Sequence, residues 1–110
     1  MRGIKIWLDD ARKAPDGWIH LKNIEGVKKI VEVMLQNEDL FIEVMDFDFH
    51  LNHPKRGVDV MKYLADLCVQ NKTKRFWAKT VILHSNDPNG NKIMEEFAKK
   101  FEDEILLFSA

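Results

Sequence analysis

Residues 40–50 read LFIEVMDFDFH, and this stretch decides what kind of fold the chain can form. Its β-branched and aromatic residues are typical of a buried central strand, and the strand ends in acids and a histidine. Asp46 and Asp48 are two residues apart and therefore share one face of the strand. Asp46 lies deeper, where an acid needs polar partners, so Asp48 is the stronger candidate for a functional carboxylate.

Two other short apolar runs stop at polar clusters in the same way. Residues 4–8 are followed by two aspartates, and residues 80–83 are followed by a histidine. Both runs are predicted to be buried strands that reach solvent at their carboxyl ends. Two further strands are predicted, a brief one over residues 18–21 and a final one over residues 104–108.

Three helices are predicted from apolar residues that recur at three- and four-residue spacing. The first runs from Ile24 to near Asn37, and the second follows Gly57. The third begins with Asp87 as its N-cap and Pro88 as its first helical residue. The predicted buried stripe of this third helix consists of Ile93, Phe97 and Phe101.

Strands that alternate with helices indicate an α/β domain built from parallel βα units. A length of 110 residues and a hydrophobic content of 45% fit one domain over residues 1–110. We expect a three-layer sandwich with a mostly parallel sheet of four to five strands. In such open sheets, ligands bind beyond the carboxyl ends of the strands.

Charge and cysteine content narrow the possible classes of function. Lys and Arg number 17 and Asp and Glu number 18, so no overall field attracts nucleic acid or an anionic membrane. Cys68 is the single cysteine and cannot form an internal disulfide. No apolar run is long enough for a signal peptide or a membrane span. We therefore expect a soluble cytoplasmic protein without membrane contact, with Cys68 in its core.

Three carboxylates, those of Asp9, Asp10 and Asp48, are expected together at the carboxyl edge of the sheet. Their mutual repulsion is relieved most simply by a hard divalent cation such as Mg²⁺, so these residues are the candidate metal ligands. The alternative is that Asp9 or Asp10 only terminates its strand, since acids are common where loops begin.

His84 is the strongest candidate for acid–base chemistry, because it ends a buried strand and an imidazole titrates near neutral pH. Ser85 and Asn86, with the free amides at the start of the third helix, form a cradle for an anion. Arg12 can donate two hydrogen bonds to a phosphate, or it can form a salt bridge with one of the acids.

Four segments of the chain, in this order, resemble the motifs of the cyclic-phosphate-processing receiver-like domains. They are LDDAR with Pro15 and Trp18 at residues 8–18, FDFHL at residues 47–51, Gly57, and HSNDPNG at residues 84–90. Two positions depart from the family pattern: Phe49-His50 stands where the family has His-Asp, and Asp87 stands where it has Asn.

The resemblance implies a receiver-type, flavodoxin-like fold. It also implies an active site made of Asp9, Asp10, Arg12, Asp48, His84 and Ser85, with Gly90 shaping the phosphate loop. His50 would then take over one function of the family's histidine from a shifted position.

Together these features predict a phosphoesterase-like domain that acts on a cyclic phosphate, either a cyclic nucleotide or a 2′,3′-cyclic phosphate at an RNA end. The residues assigned to catalysis are His84, Asp48 and Asp10, and those assigned to substrate binding are Arg12, Ser85, Asn86 and His50. The partner would be a small phosphorylated ligand, a nucleotide or an RNA end; the sequence does not identify a protein partner.

The alternative is a degenerate response-regulator receiver that binds phosphate or a protein without turnover. Phosphorelay signalling fits less well. In true receivers a lysine on the last strand engages the acyl phosphate, and residues 104–110 contain no lysine.

Overall fold

Strands and helices alternate along most of the chain. The computed structural model describes residues 1–105. The strands are β1 (Arg2–Leu8), β2 (Ile19–Leu21), β3 (Leu40–Phe47) and β4 (Thr80–Leu83), and the helices are α1 (Ile24–Gln36), α2 (Gly57–Asn71) and α3 (Pro88–Ile105).

The strands form one parallel sheet in the order β2-β1-β3-β4. This confirms the predicted receiver-like α/β fold with a parallel sheet. The brief strand β2, predicted over residues 18–21, is also confirmed and spans three residues at the sheet edge. Strand β1, which is followed by Asp9 and Asp10, and strand β3, which is followed by Asp48, are neighbours in the centre of the sheet.

The register of the central strands aligns their carboxyl ends. Phe47 of β3 pairs with Leu8 of β1 on one side and with Leu83 of β4 on the other. Backbone hydrogen bonds continue one residue further, since Asp48 N donates to Leu8 O at 2.9 Å and His84 N donates to Phe47 O at 3.0 Å. The residues that follow the three strands therefore leave the sheet side by side.

The helices pack on one face of the sheet. The connections β2-α1-β3 and β3-α2-β4 advance in the same direction across the sheet, and right-handed crossovers then place α1 and α2 on the same side. Helix α2 contacts both α1 and α3. The core lies between this helical layer and the inward-facing strand residues, which include Ile6, Leu8, Ile42, Met45 and Phe47, all at most 1% exposed.

In the described part of the chain, a loop and not a helical layer covers the opposite face of the sheet. Lys5 and Ile82 are exposed there and Trp7 is half-buried. The loop of residues 9–18 lies against this face, because Trp7 Nε1 donates to the carbonyl oxygen of Arg12 at 3.0 Å and Trp18 packs edge-on against Trp7. Within residues 1–105, this loop stands where a three-layer sandwich has its second helical layer.

Helix α3 differs from its sequence prediction in the face that it buries. Ile93 is 45% exposed and Phe97 is half-buried, whereas Met94, Ala98 and Phe101 are buried. The predicted stripe is therefore wrong at Ile93. The helix is rotated by about one residue because Gly90 packs directly against the Phe49 ring and fixes which side faces inward.

The predicted final strand over residues 104–108 is wrong at its start. Glu104 and Ile105 belong to α3, because Ile105 continues the helical spacing of Phe101 and is itself buried. Residues 106–108 lie outside the described part of the chain.

Cys68 lies fully buried in the core, as the helical spacing predicted. Burial raises the pKa of its thiol to about 12, which keeps the sulfur protonated and unreactive at neutral pH. No helix within residues 1–105 combines the length and the apolar character that a membrane span requires.

Candidate functional site

Asp9, Asp48 and His84 meet at the carboxyl edge of the sheet. Each offers one ligand atom, and these atoms all lie within 4.8 Å of one another. Asp9 follows β1, Asp48 follows β3 and His84 follows β4, so the register of the sheet creates this group. The two carboxylates are buried, at 1% and 8% exposure. We call these three residues the acid–histidine group.

His84 is held between two carboxylates. Its Nδ1 lies 2.5 Å from Asp46 Oδ1, and its Nε2 lies 2.8 Å from Asp9 Oδ2. Its ring also stacks on Trp7, with 4.2 Å between centroids and 9° between planes. Both nitrogens of the imidazole thus lie within hydrogen-bonding distance of a carboxylate oxygen, so the two acids fix the orientation of the ring.

Asp9 accepts hydrogen bonds on both of its carboxylate oxygens. Oδ1 accepts from the amides of Ala11 and Arg12, each at 2.8 Å, and Oδ2 accepts from His84. Burial by itself raises the pKa of this carboxyl, but the amides of Arg12 and Ala11 and the His84 ring together hold that pKa below its ordinary value. Asp9 is therefore ionised at neutral pH, and the stability it contributes is lost as the pH falls through the lowered pKa.

Arg12 lies beside the same carboxylate. Its Nε is 3.5 Å from Asp9 Oδ2, and its side chain is 44% exposed. The salt bridge that the sequence left open as an alternative is thus present. The exposure of the guanidinium also leaves donors that can reach a bound anion.

Asp46 is a member of the site that the sequence ranked below Asp48. Its side chain is nearly buried, and the contact with His84 supplies the polar partner that such an acid needs. Asp46 is two residues before Asp48, and this spacing in the sequence predicted that both lie on the same face of the strand. Asp48 itself accepts a hydrogen bond on Oδ1 from the Phe49 amide at 2.8 Å.

Asp10 does not belong to the acid–histidine group. The chain turns after β1, where Asp9 Oδ1 accepts hydrogen bonds from the amides of Ala11 and Arg12, and Asp10 in this turn is not among the residues whose ligand atoms meet. The structure leaves Asp10 half-exposed next to the group. The expected meeting of three carboxylates is reduced to Asp9 and Asp48, with His84 in the third place.

The proposed anion cradle at the start of α3 is partly filled by the protein itself. Asp87 Oδ1 accepts hydrogen bonds from the amides of Asn89 and Gly90, which confirms Asp87 as the N-cap. Ser85 Oγ accepts from the Asp87 amide at 3.1 Å, and Asn86 is exposed. A carboxylate therefore occupies the amides that a phosphate would otherwise use.

His50 lies next to this cap and not in the acid–histidine group. Its Nε2 is 2.8 Å from Asp87 Oδ2. The His50 ring, followed by the amide of Gly90, holds the pKa of Asp87 below its ordinary value. His50 and Asp87 are two of the positions at which the chain departs from the motif pattern, and the structure puts them in direct contact.

Two glycines let the backbone of residues 48–49 approach the helices. A Cβ at Gly57 would lie 2.2 Å from the Asp48 carbonyl oxygen, and a Cβ at Gly90 would lie 2.5 Å from Phe49 Cγ. Real Cβ atoms do not come so close to backbone or ring atoms. Both glycines therefore fix the position from which Asp48 extends.

The sequence analysis missed three side chains that support the site. Trp7 stacks on His84, the His20 ring lies 2.7 Å from the Asp9 carbonyl oxygen, and Asn91 hydrogen bonds to both the amide and the carbonyl of Ser85. Trp7 and His20 share a face of neighbouring strands, since they are paired in the sheet. Only the pairing of β1 with β2 reveals that, so the isolated sequence carried no signal for these contacts.

A scan against protein families matched residues 4–100 to a model described as the cyclic-phosphate processing receiver domain. The chain belongs to this family. The match covers every strand and helix described above except the start of β1 and the end of α3. It includes every residue of the acid–histidine group. Comparisons with curated proteins and with solved structures gave no significant match.

The acid–histidine group of this receiver domain has the chemistry of a divalent cation site. Two carboxylates and one imidazole are common ligands of such ions, and the imidazole favours a transition metal such as Zn²⁺ over Mg²⁺. A metal-binding histidine usually donates its other ring N–H to a carboxylate, which fixes the orientation of the ring. Asp46 is in this position, because its Oδ1 contacts His84 Nδ1. The residues therefore fit a cation.

Proposed function

We propose that this receiver domain is a phosphoesterase that opens a cyclic phosphate, either in a cyclic nucleotide or at the 2′,3′-cyclic end of an RNA. The observation that carries the proposal is the imidazole of His84, held between buried Asp46 and Asp9 at the carboxyl edge of the sheet. Such a ring can donate a proton to a leaving oxygen at neutral pH.

The reaction requires three groups around the phosphorus. A water oxygen attacks the phosphorus while Asp48 accepts the water's proton, and one P–O ester bond of the ring breaks. The proton on His84 Nε2 passes to the leaving oxygen, which gives a phosphomonoester with a free hydroxyl. Arg12 stabilises the negative charge that develops on the phosphoryl oxygens, and half-buried Ser85 and exposed Asn86 contact the substrate.

A divalent cation at Asp9 and Asp48 would supply further positive charge at the phosphoryl oxygens. His84 Nε2 can either bind that cation or donate a proton, because both roles use the same atom. A chelator distinguishes the two roles: turnover is lost with the cation if His84 acts as its ligand, and turnover persists if His84 acts only as the proton donor.

A second candidate is a degenerate receiver that binds phosphate or a protein without turnover. The observation that favours it is that the protein's own groups already make the hydrogen bonds that a substrate would need. Both nitrogens of His84 are bound to carboxylates, and Asp87 occupies two amides at the start of α3.

A substrate panel separates the two candidates. The purified protein is incubated with 2′,3′-cyclic and 3′,5′-cyclic nucleotides and with an RNA that ends in a 2′,3′-cyclic phosphate, each with Mg²⁺, Mn²⁺, Zn²⁺ or chelator. We expect at least one cyclic phosphate to be converted to its monoester, measured by ³¹P NMR. Binding without conversion supports the second candidate. The absence of both binding and conversion contradicts the phosphoesterase and the phosphate-binding form of the second candidate.

Cation binding can be tested independently of any substrate. Asp48→Asn is expected to lower the affinity for Zn²⁺ by about tenfold or more, because it removes one of the two carboxylates of the acid–histidine group. Asp10→Asn is the matched control, since Asp10 lies outside this group, and its affinity is expected to equal that of the wild type. Calorimetric titration of both variants measures the difference. An equal loss in both would show that Asp10 is also a ligand.

A further inference from the structure

Trp7 contacts two parts of the site that the proposed reaction uses. Its indole ring stacks on the His84 ring, with 4.2 Å between the centroids and 9° between the planes. Its Nε1 donates a hydrogen bond to the carbonyl oxygen of Arg12 at 3.0 Å. One side chain in the centre of the sheet thus joins the ring proposed to give up a proton to the residue proposed to stabilise the phosphoryl oxygens.

Trp7 is itself held by the sheet and by the loop of residues 9–18. In the sheet it pairs with Asp46 of β3 on one side and with His20 of β2 on the other. Trp18, at the end of the loop, packs edge-on against the indole with 6.3 Å between the ring centroids. Contacts on several sides fix the indole, so Trp7 can support the residues that it touches.

Asp9 makes a second link between Arg12 and His84. Its Oδ1 accepts a hydrogen bond from the Arg12 amide at 2.8 Å, and its Oδ2 lies 2.8 Å from His84 Nε2. The contact with His84 cannot last through the proposed reaction, because the proton on Nε2 must then pass to the leaving oxygen of the substrate. The stack on Trp7 uses the face of the imidazole and neither of its nitrogens, so this contact persists.

We propose that Trp7 is a positioning residue that keeps His84 and Arg12 in a fixed relation while His84 Nε2 is engaged with the substrate. This inference rests on the proposed phosphoesterase reaction. The contact between His84 Nδ1 and Asp46 holds one edge of the ring, but a hydrogen bond weakens steeply only below about 120° and therefore permits the ring to tilt. The indole face removes this freedom, and a displacement of about 1 Å in an active site can cost about 10²-fold in rate.

Two substitutions separate the two contacts of Trp7. Trp7→Phe keeps an aromatic face for His84 but removes the indole N–H that holds Arg12, so KM should rise with little change in kcat. Trp7→Leu removes both contacts, and kcat is expected to fall by about tenfold or more as well. Steady-state kinetics on the substrate that the panel identifies measure the difference. Wild-type kinetics in both variants, or an equal fall of kcat in both, would overturn the proposal.

Trp77→Phe is the matched control for the loss of an indole. The Nε1 of Trp77 also donates a hydrogen bond, to Glu102 Oε1 at 3.3 Å, but its ring packs against Phe97 and Phe101 of α3 and touches no residue of the acid–histidine group. Its kinetics should match the wild type even if its melting temperature falls as far as that of Trp7→Phe. Equal kinetic changes in these two variants would show a general effect of lower stability and would contradict the proposal.

The support of the His84 ring can be tested without turnover. In the full chain with ¹³C-labelled histidine, His84→Gln identifies the His84 signals by their loss, and ¹³C relaxation measures the order of the ring. We expect a less ordered ring in Trp7→Leu and wild-type order in Trp7→Phe. Wild-type order in Trp7→Leu would overturn the positioning role, whatever the substrate panel shows. The expected loss of order in a protein whose wild type turns over no cyclic phosphate would instead contradict the phosphoesterase and leave the support of His84 established.

Discussion

His84→Gln is expected to reduce turnover of the cyclic phosphate by about 10² to 10⁴ while substrate binding survives. Glutamine approximates the size of histidine and can donate from its amide nitrogen, but it cannot give up a proton at neutral pH. The loss should therefore appear in kcat with little change in KM. Single-turnover assays on whichever substrate the panel identifies measure it.

The control for this variant is His53→Gln. His53 lies on the loop after β3, where it pairs with Glu25 and does not contact the acid–histidine group. Turnover by that variant should match the wild type. If His84→Gln also retained full turnover, His84 would be only an anchor for Asp9 and Asp46, and the proposed proton transfer would be wrong.

Loss of His84 also leaves the buried carboxylates of Asp46 and Asp9 without their shared hydrogen-bond partner, which destabilises the fold. A melting curve must therefore accompany each rate. Asp46→Asn/His84→Gln removes one of the two carboxylates and should recover part of the stability without recovering turnover. This double variant separates a folding defect from a catalytic one.

Gly57→Ala is expected to have the largest effect on stability, a loss of about 1–3 kcal/mol or more in the free energy of unfolding. The added Cβ would lie 2.2 Å from the Asp48 carbonyl oxygen and 3.1 Å from its carbonyl carbon, and both are backbone atoms that cannot rotate away. The segment that carries Asp48 would have to shift, so cation affinity should fall together with stability. Urea unfolding measures the first effect and calorimetry the second.

Gly26→Ala is the matched control, and its stability is expected not to fall. A Cβ at Gly26, in α1, would meet nothing closer than Leu21 Cδ2 at 3.4 Å. Since alanine favours a helix interior over glycine by roughly 0.5–1 kcal/mol, this variant should be as stable as the wild type or more stable. A Gly57→Ala protein as stable as Gly26→Ala would show that the close approach of α2 to Asp48 is not rigid.

The acids at the ends of β1 and β3 were predictable because buried parallel strands must bring polar residues to one edge. The side chains that contact those acids were not predictable from the sequence. Whether Asp9 or Asp10 joins the group depends on how the chain turns after β1, where the Asp9 carboxylate accepts hydrogen bonds from the amides of Ala11 and Arg12. The alternation of side chains along a strand does not determine such a turn, so the sequence spacing alone could not separate Asp9 from Asp10.

The end of the chain shows a similar limit. Apolar residues at positions 104–108 fit a strand by composition, but helical spacing through Phe101 and Ile105 prevails in the structure. The buried face of α3 was displaced by one residue for a related reason. The helix is oriented by the contact between Gly90 and Phe49, which joins residues from distant parts of the sequence.

The contact between His50 and Asp87 changes how the departures from the motif pattern are interpreted. One substitution introduces a ring that can be positively charged, and the other introduces a carboxylate that pairs with it. Asp87 also caps α3, so the pair joins the segment after β3 to the start of α3. The two departures therefore act together on the geometry beside the site, and each should be tested with the other in place.

The hydrogen bonds of His84 join residues that are 38 and 75 positions apart in sequence. His84 follows β4, so its contacts with Asp46 and Asp9 can form only when β4 has paired with β3. Without that pairing, the two carboxylates lack the hydrogen-bond partner that His84 supplies. A molecule competent for the proposed chemistry is therefore necessarily one whose sheet is complete.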